Sequence, residues 1–133
     1  VAKDQVTAFY LAQEAVEYVR SIRDENSLYN LKEGVSRDWL DGINDCVGAT
    51  CTIDVPFYSH TACDGNCAPL SFNTETSIFS QQTGGSNIQS VFTRTVDITK
   101  INADEISIIV TVTWMAGTKT RTFQIRENIY NWL

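Results

Sequence analysis

The sequence predicts an α+β fold in which a long N-terminal α-helix packs on a C-terminal antiparallel β-meander, with an irregular, disulfide-bearing loop region between them. Three observations support this prediction. Apolar residues recur at helical spacing near the N-terminus, apolar and polar residues alternate near the C-terminus, and all four cysteines lie in between. With 133 residues, of which 43% are hydrophobic, the chain has the size of a single domain with a buried core.

The expected boundaries follow from where these patterns change. Within a single domain of residues 1–133, we expect the helix over 1–26, the variable loop region over 27–90 and the antiparallel strands over 91–127. Asn26 and Ser27 favour caps and turns over helix interiors, so they are expected to end the helix. Short extended pieces are expected inside the loop region, separated by proline, glycine and Asp-Gly-Asn turn signals.

The N-terminal helix has an unusually wide apolar arc. On a helical wheel the arc covers roughly half of the circumference, against the ~100° expected for a helix that packs on one surface. It consists of Ala8, Phe9, Leu11, Ala12, Ala15, Val16, Tyr18, Val19 and Ile22. Two interpretations remain open: an ordinary amphipathic helix packed on a sheet, or a helix with a second, external partner.

The cysteines predict two disulfide bonds and an oxidising, extracytoplasmic compartment. Cys46, Cys51, Cys63 and Cys67 allow three pairings, and we favour Cys46–Cys51 with Cys63–Cys67 because each closes a short local loop. A zinc site built from the four cysteines, or from three of them with His60, is the alternative. The C-x2-C spacing typical of zinc sites is missing, so no metal or cofactor is expected.

The strands from Val91 onward have period two, with one apolar and one polar face. The polar face is rich in threonine: Thr93, Thr95, Thr111, Thr113, Thr120 and Thr122. By the same parity Arg94, Lys119 and Arg121 fall on the apolar side. We expect them near the ends of the sheet, where their charged groups can reach water.

Charge and motifs exclude several classes of function. A net charge of -6 without a basic cluster argues against nucleic acid as the main partner. His60 is the only histidine, and no glycine-framed nucleophile, phosphate-binding loop or His-Glu-x-x-His motif accompanies it. The sequence therefore predicts a protein without enzymatic activity.

The helical run from Phe9 to Asp24, with its Ala-x-Glu-x-x-Glu pattern at Ala12 to Glu17, resembles the helix that leaves the membrane segment in type IV pilins and pseudopilins. The order of helix, cysteine-bearing loop and terminal strands is similar to the soluble portion of a prepilin-type minor pilin. Many pilins instead have a disulfide near the C-terminus, whereas all four cysteines here precede the strands. The resemblance implies a precursor with a leader peptide and an N-terminal hydrophobic half-helix, which would anchor the subunit in the membrane before assembly.

The resemblance also implies an assembly interface on the helix, made with other pilin subunits in an extracellular, cell-surface filament. The expected interface residues are Ala8, Phe9, Tyr10, Ala12, Gln13, Glu14 and Glu17. Small residues among them would let neighbouring helices approach closely. The expected function is therefore that of a structural subunit of a type IV pilus or related pseudopilus. The alternative is a secreted or cell-surface binding module, an adhesin that meets a surface receptor through the threonine-rich face or the cysteine loop.

Overall fold

The computed structural model describes residues 2–131, so Val1, where the predicted helix begins, lies outside the described residues, as do Trp132 and Leu133. The described part of the chain contains one α-helix, two 3₁₀ helices and eight strands. In chain order they are α1 (Ala2–Glu33), a 3₁₀ helix (Asn44–Cys46), β1 (Thr50–Asp54), a 3₁₀ helix (Val55–Phe57), β2 (Ser59–Ala62), β3 (Ser71–Asn73), β4 (Phe79–Ser80), β5 (Asn87–Gln89), β6 (Thr93–Asn102), β7 (Glu105–Ala116) and β8 (Lys119–Tyr130).

The strands form two antiparallel sheets. The larger sheet has five strands in the order β2-β1-β6-β7-β8, and the smaller has three in the order β4-β3-β5. The helix α1 packs on the larger sheet across β6, β7 and β8. The predicted fold class is therefore wrong: the helix lies on a largely β body of two sheets, and residues 27–90 are not an irregular loop region.

The error in the fold class comes from strand pairing between distant segments. The edge strand of a meander leaves a row of backbone groups unpaired, which makes it a template for pairing with another strand. Here β1 covers that edge, with Thr50 opposite Asp97 and Cys51 opposite Val96. Four of the five residues of β1 are buried, so the strand lacks the alternation that marks a half-exposed strand.

The helix also continues beyond the predicted end at residue 26, to Glu33. Asn26 does not end the helix, because its side chain makes contacts from inside it. Asn26 is buried, and its side-chain amide donates hydrogen bonds of 2.9 Å to the carbonyl oxygens of Trp39 and Asp41. The residue after the helix is Gly34, whose φ of +67° is the left-handed conformation typical of the position that follows a helix C-terminus. The segment after the helix is thus fastened to the helix itself.

The alternation predicted for the C-terminal strands is confirmed. In β6 the buried positions are Arg94, Val96 and Ile98, and in β7 every second residue from Ile106 to Trp114 is buried. The smaller sheet joins this core through a chain of ring contacts from Phe72 through Phe79 and Phe92 to Trp114. Among the described residues, no helix combines the length and apolar character that crossing a membrane requires.

Candidate functional site

The wide apolar arc of α1 is covered almost completely by the protein's own core. Of its nine residues only Phe9 is exposed. The arc meets two internal surfaces, because α1 contacts β6, β7 and β8 on one side and the 3₁₀ helix Val55–Phe57 on the other. On that second side the Tyr18 ring lies 5.1 Å from the ring of Tyr58 and 6.1 Å from that of His60. The width of the arc therefore does not by itself require an external partner.

This packing buries some residues of the predicted assembly interface and leaves others exposed. Ala8 and Ala12 are fully buried beneath the helix, as is the neighbouring small residue Ala15. The expectation that these alanines meet helices of other subunits does not agree with their burial, because the protein's own core already occupies that space. Gln13 and Glu14 are partly buried, whereas Phe9, Tyr10 and Glu17 are exposed.

The exposed apolar residues at the start of the helix form a contiguous surface. Val6, Phe9 and Tyr10 have the i, i+3, i+4 spacing of one helix face, and their exposed fractions are 54%, 43% and 67%. We call these three residues the N-terminal apolar patch. The ring of Phe9 packs edge-on against Tyr10 and against Phe123 of β8, at centroid distances of 5.7 and 5.8 Å. The patch is thus held in place by the sheet and remains open to solvent.

A charged residue lies directly under the helix. Arg94, in β6, is 1% exposed and donates hydrogen bonds to the carbonyl oxygens of Leu11 and Ile53 at 3.0 and 2.7 Å. It also forms an ion pair of 2.7 Å with Glu14 of α1. Burial lowers the pKa of the Arg94 guanidinium, and the hydrogen bond and charge of Glu14 oppose that shift. The expectation that Arg94 reaches water near a sheet end is wrong, since its charge is compensated inside the protein.

A chain of polar side chains connects the helix with β2. The hydroxyl of Tyr18 lies 3.0 Å from Nδ1 of His60, and Nε2 of His60 lies 2.9 Å from a carboxylate oxygen of Asp45. In the neutral tautomer with the proton on Nε2, Tyr18 donates to the imidazole and the imidazole donates to Asp45. Burial, with the nearby Tyr58 and acidic groups, raises the pKa of Tyr18 to about 12. This chain holds His60 at both nitrogens and includes no nucleophile.

Beside this chain of polar side chains, Tyr58 donates a hydrogen bond of 2.5 Å to Glu25, and the Tyr58 hydroxyl lies 3.2 Å from that of Ser21. Burial and the hydrogen bond to Glu25 raise the pKa of Tyr58. Both tyrosines therefore fix β2 and the preceding turn to the helix through hydroxyl groups that stay protonated.

The two predicted disulfides, Cys46–Cys51 and Cys63–Cys67, are both present. All four cysteines are bonded in these pairs, so the alternative of a zinc site made from their thiolates does not apply to the oxidised protein. Cys46 and Cys51 are buried in the core, whereas Cys63 and Cys67 are partly exposed. Two disulfides indicate an extracellular or otherwise oxidising environment.

The threonine-rich face lies on the side of the larger sheet opposite the helix. Thr93, Thr113 and Thr122 are aligned across β6, β7 and β8 by the strand register. Thr95 is aligned with Thr111, whereas Thr120 lies opposite Met115 near the end of β7. The members of this face on β6 and β7 are partly buried and those on β8 are exposed. Half-exposed threonines of this kind are typical of a solvated antiparallel sheet.

Comparison with known proteins gives no match: no family model, no curated protein and no solved structure matches this chain. The geometry of the molecule is therefore the basis for assigning its function.

Proposed function

We propose that this protein is a structural subunit of an extracellular filament of the type IV pilus or pseudopilus class, in the role of a minor pilin. The observation that carries the proposal is the N-terminal apolar patch of Val6, Phe9 and Tyr10. The apolar residues that follow in the helical arc, from Leu11 to Ile22, are buried in the protein's own core, whereas the patch remains uncovered. Exposed, contiguous apolar residues of this kind mark interaction sites.

The position of the patch favours a helical partner. It lies on the first three turns of α1, and Phe123 supports it from below, so an approaching helix would meet a rigid surface. The helix run that resembles pilins begins within the patch, at Phe9. In the proposed filament, Val6, Phe9 and Tyr10 contact the helices of neighbouring subunits, while an upstream hydrophobic segment anchors the subunit before assembly.

The experiment that tests this proposal is a complementation assay in the source organism. The native gene is deleted, and the full-length gene is restored as wild type or with Val6→Glu and Tyr10→Glu. Incorporation into surface filaments is then measured by shearing and immunoblotting. We expect wild type to be recovered in the filament fraction and the double variant to remain in the cell membrane fraction.

A matched control is available at the other end of the same helix. Leu28 and Leu31 are also exposed, at 65% and 83%, but they lie beyond the run from Phe9 to Asp24 that resembles pilins, so Leu28→Glu with Leu31→Glu introduces the same charge on the same element outside the proposed interface. This variant should be incorporated normally. Equal incorporation of both double variants, or of neither, would contradict the proposed interface, as would a conventional signal peptide at the start of the full-length gene.

The same experiment distinguishes the proposed filament subunit from the adhesin alternative. A free-standing binding module on the threonine-rich face would be secreted and functional with the N-terminal patch altered. It would lose binding when Thr113 and Thr122 are replaced by Lys, a change that leaves the patch intact. Adhesion that follows the threonine variant and ignores the patch variant would favour the adhesin.

A further inference from the structure

Strand β8 forms a long, open edge of the larger sheet. Among the described residues it pairs only with β7, and it is 12 residues long, whereas β2 at the opposite edge has four. Its pairing with β7 has no register shift, and the strand contains no proline. Short strands, bulges and prolines commonly protect a sheet edge from other chains, and β8 has none of these protections.

The backbone groups on the open side of β8 belong to its even-numbered residues. The N–H of Asn131 donates a hydrogen bond of 2.9 Å to Asp104, the residue before β7. Backbone groups alternate in direction along a strand, so the odd-numbered residues of β8 face β7. The carbonyl of Tyr130 accordingly points outward, where it accepts a hydrogen bond of 3.3 Å from Arg23. The outward backbone groups between Thr120 and Asn128 have no hydrogen bond among the described residues.

The sequence of β8 is complementary to itself when two copies of the strand run antiparallel. With Gln124 opposite Gln124 of the second copy, Arg121 lies opposite Glu127, and Phe123 lies opposite Ile125. Each of these pairs occurs twice about the two-fold axis. Charged side chains can deter edge pairing, but here opposite charges meet and apolar side chains meet, and such cross-strand pairs stabilise a sheet.

Neighbouring symmetric registers lose this match. Centring the ladder on Phe123 places Arg121 opposite Ile125 of the second copy. Centring it on Ile125 places Phe123 opposite Glu127. Either shift sets a charged side chain against an apolar one, so the register centred on Gln124 is favoured.

Both charged residues of this register are available for a contact with a second copy. Arg121 is exposed and forms no ion pair with any described residue. Glu127 accepts a hydrogen bond of 2.7 Å from Arg20 through Oε1, and no contact within the described part of the chain uses its Oε2. An arginine of the second copy can therefore bind Glu127 without displacing Arg20.

We propose that two copies of this protein pair edge to edge through β8, antiparallel and centred on Gln124. The product is one continuous sheet with five strands from each copy, and both α1 helices lie on the same face of it. The interface is isologous and uses the long edge of each copy, so association stops at the dimer. It uses none of the three residues of the N-terminal apolar patch. The pairing can therefore fail while the proposed filament contact holds, and the reverse.

The test is disulfide trapping in the purified protein, with oxygen and a copper–phenanthroline catalyst as oxidant. All four native cysteines are bonded, so an introduced cysteine supplies the only free thiol. Gln124→Cys should give a covalent dimer on a non-reducing gel, because opposite Cα atoms of a hydrogen-bonded pair are about 5.5 Å apart, within disulfide range. Thr122→Cys is the matched control on the same exposed face. Its two copies would lie roughly 14 Å apart, too far for a disulfide.

A mixing experiment tests the register separately. Thr122 lies opposite Arg126 of the second copy when the ladder is centred on Gln124. Thr122→Cys and Arg126→Cys should therefore each remain monomeric alone and form a covalent heterodimer when they are mixed. This pair of variants decides the question even if Gln124→Cys does not fold.

The charge pairs are tested in the Gln124→Cys background. Arg121→Glu sets like charges opposite each other at two positions and should slow trapping about fivefold. Lys119→Glu makes the same change in net charge, but Lys119 lies at the end of the ladder, opposite Ile129, so trapping should slow less than about twofold. Equal trapping of Gln124→Cys and Thr122→Cys, equal effects of the two charge variants, or a mixture without heterodimer would overturn the proposal.

Discussion

Glu14 of the helix and Arg94 of β6 form an ion pair in which one partner is buried and the other is partly exposed to solvent. Their closest atoms are 2.7 Å apart, and the side-chain exposures are 41% for Glu14 and 1% for Arg94. Arg94 also binds the Leu11 carbonyl one turn earlier on the same helix and the Ile53 carbonyl on β1. One guanidinium therefore joins the helix to two neighbouring strands and sets the position of α1 along the sheet.

The first prediction concerns the stability that depends on this pair. Glu14→Gln leaves the buried guanidinium without its counter-charge, but water reaches the Glu14 side, so we expect a loss of about 1–2 kcal/mol in the free energy of unfolding. Arg94→Ala removes three hydrogen bonds and leaves a void, which should cost about 3–5 kcal/mol. Urea denaturation of both variants measures these losses.

The double variant completes a thermodynamic cycle. Because the two side chains touch, the double variant should lose less than the two single losses combined. Glu17→Gln is a matched control on the same helix, since Glu17 is exposed and pairs only with Arg20 among the described residues. Additive losses, or a larger loss for Glu17→Gln than for Glu14→Gln, would show that the buried pair does not hold the helix.

The sequence was sufficient for the elements whose pattern is local. The helix and the three long C-terminal strands were predicted, because an apolar arc and period-two alternation follow directly from the geometry of each element. The sequence predicts short extended pieces among residues 27–90, where β1 lies, but it places them in a loop region. The place of β1 beside β6 depends on a pairing across about 45 residues, and no local pattern encodes such a pairing.

The polar contacts that hold α1 to the rest of the fold were harder to predict, because Asn26 and Arg94 lie in environments that their residue types usually avoid. Asn26 favours caps, yet it is buried in the helix because the carbonyls of Trp39 and Asp41 need a donor there. Arg94 lies between Phe92 and Val96 on the apolar face, and that parity was itself the signal of a buried charge. A partner on the helix, Glu14, was present in the sequence, but only the packing of α1 brings the two together.

The second prediction is that the two disulfides contribute unequally to the stability of the fold. Each closes a loop of similar length, worth about 2 kcal/mol in the chain-entropy model. Cys46–Cys51 also lies in the core, so its removal by paired Ala substitutions should cost more than the removal of Cys63–Cys67. Urea denaturation of the two double variants compares them, and peptide mapping of the unreduced protein checks the pairing. Equal stability of the two variants would contradict a core role for Cys46–Cys51.

The third prediction tests whether Asn26 fastens the loop after the helix. Asn26→Ala leaves the carbonyl oxygens of Trp39 and Asp41 without their donor in a largely buried place, so we expect a loss of about 2–3 kcal/mol. Ser27→Ala, at the next position and partly exposed, should change stability by less than about 0.5 kcal/mol. Hydrogen exchange should show faster opening of residues 37–43 in Asn26→Ala alone. Unchanged exchange there would contradict the fastening.

The fourth prediction is an alkaline loss of stability that depends on Tyr18. Its pKa is about 12 in the folded protein, against 10 for an ordinary tyrosine. Between pH 10 and 12 the unfolded chain has released this proton while the folded protein keeps it, so the folded state binds more protons and its stability falls as the pH rises. The contribution is complete below pH 10 and should decrease by about 2 kcal/mol up to pH 12.

Tyr18→Phe isolates this effect, because the phenylalanine variant lacks the ionisable group but keeps the ring that packs on Tyr58. Below pH 9 the variant should be about 1 kcal/mol less stable than wild type, since it loses the hydrogen bond to His60. Above pH 11 the order should reverse, because only wild type is destabilised by ionising this tyrosine on unfolding. Urea midpoints for both proteins from pH 8 to 12 measure the crossing. Parallel curves over that range would mean that Tyr18 titrates alike in the folded and unfolded chains, and that the helix does not shield its hydroxyl from solvent.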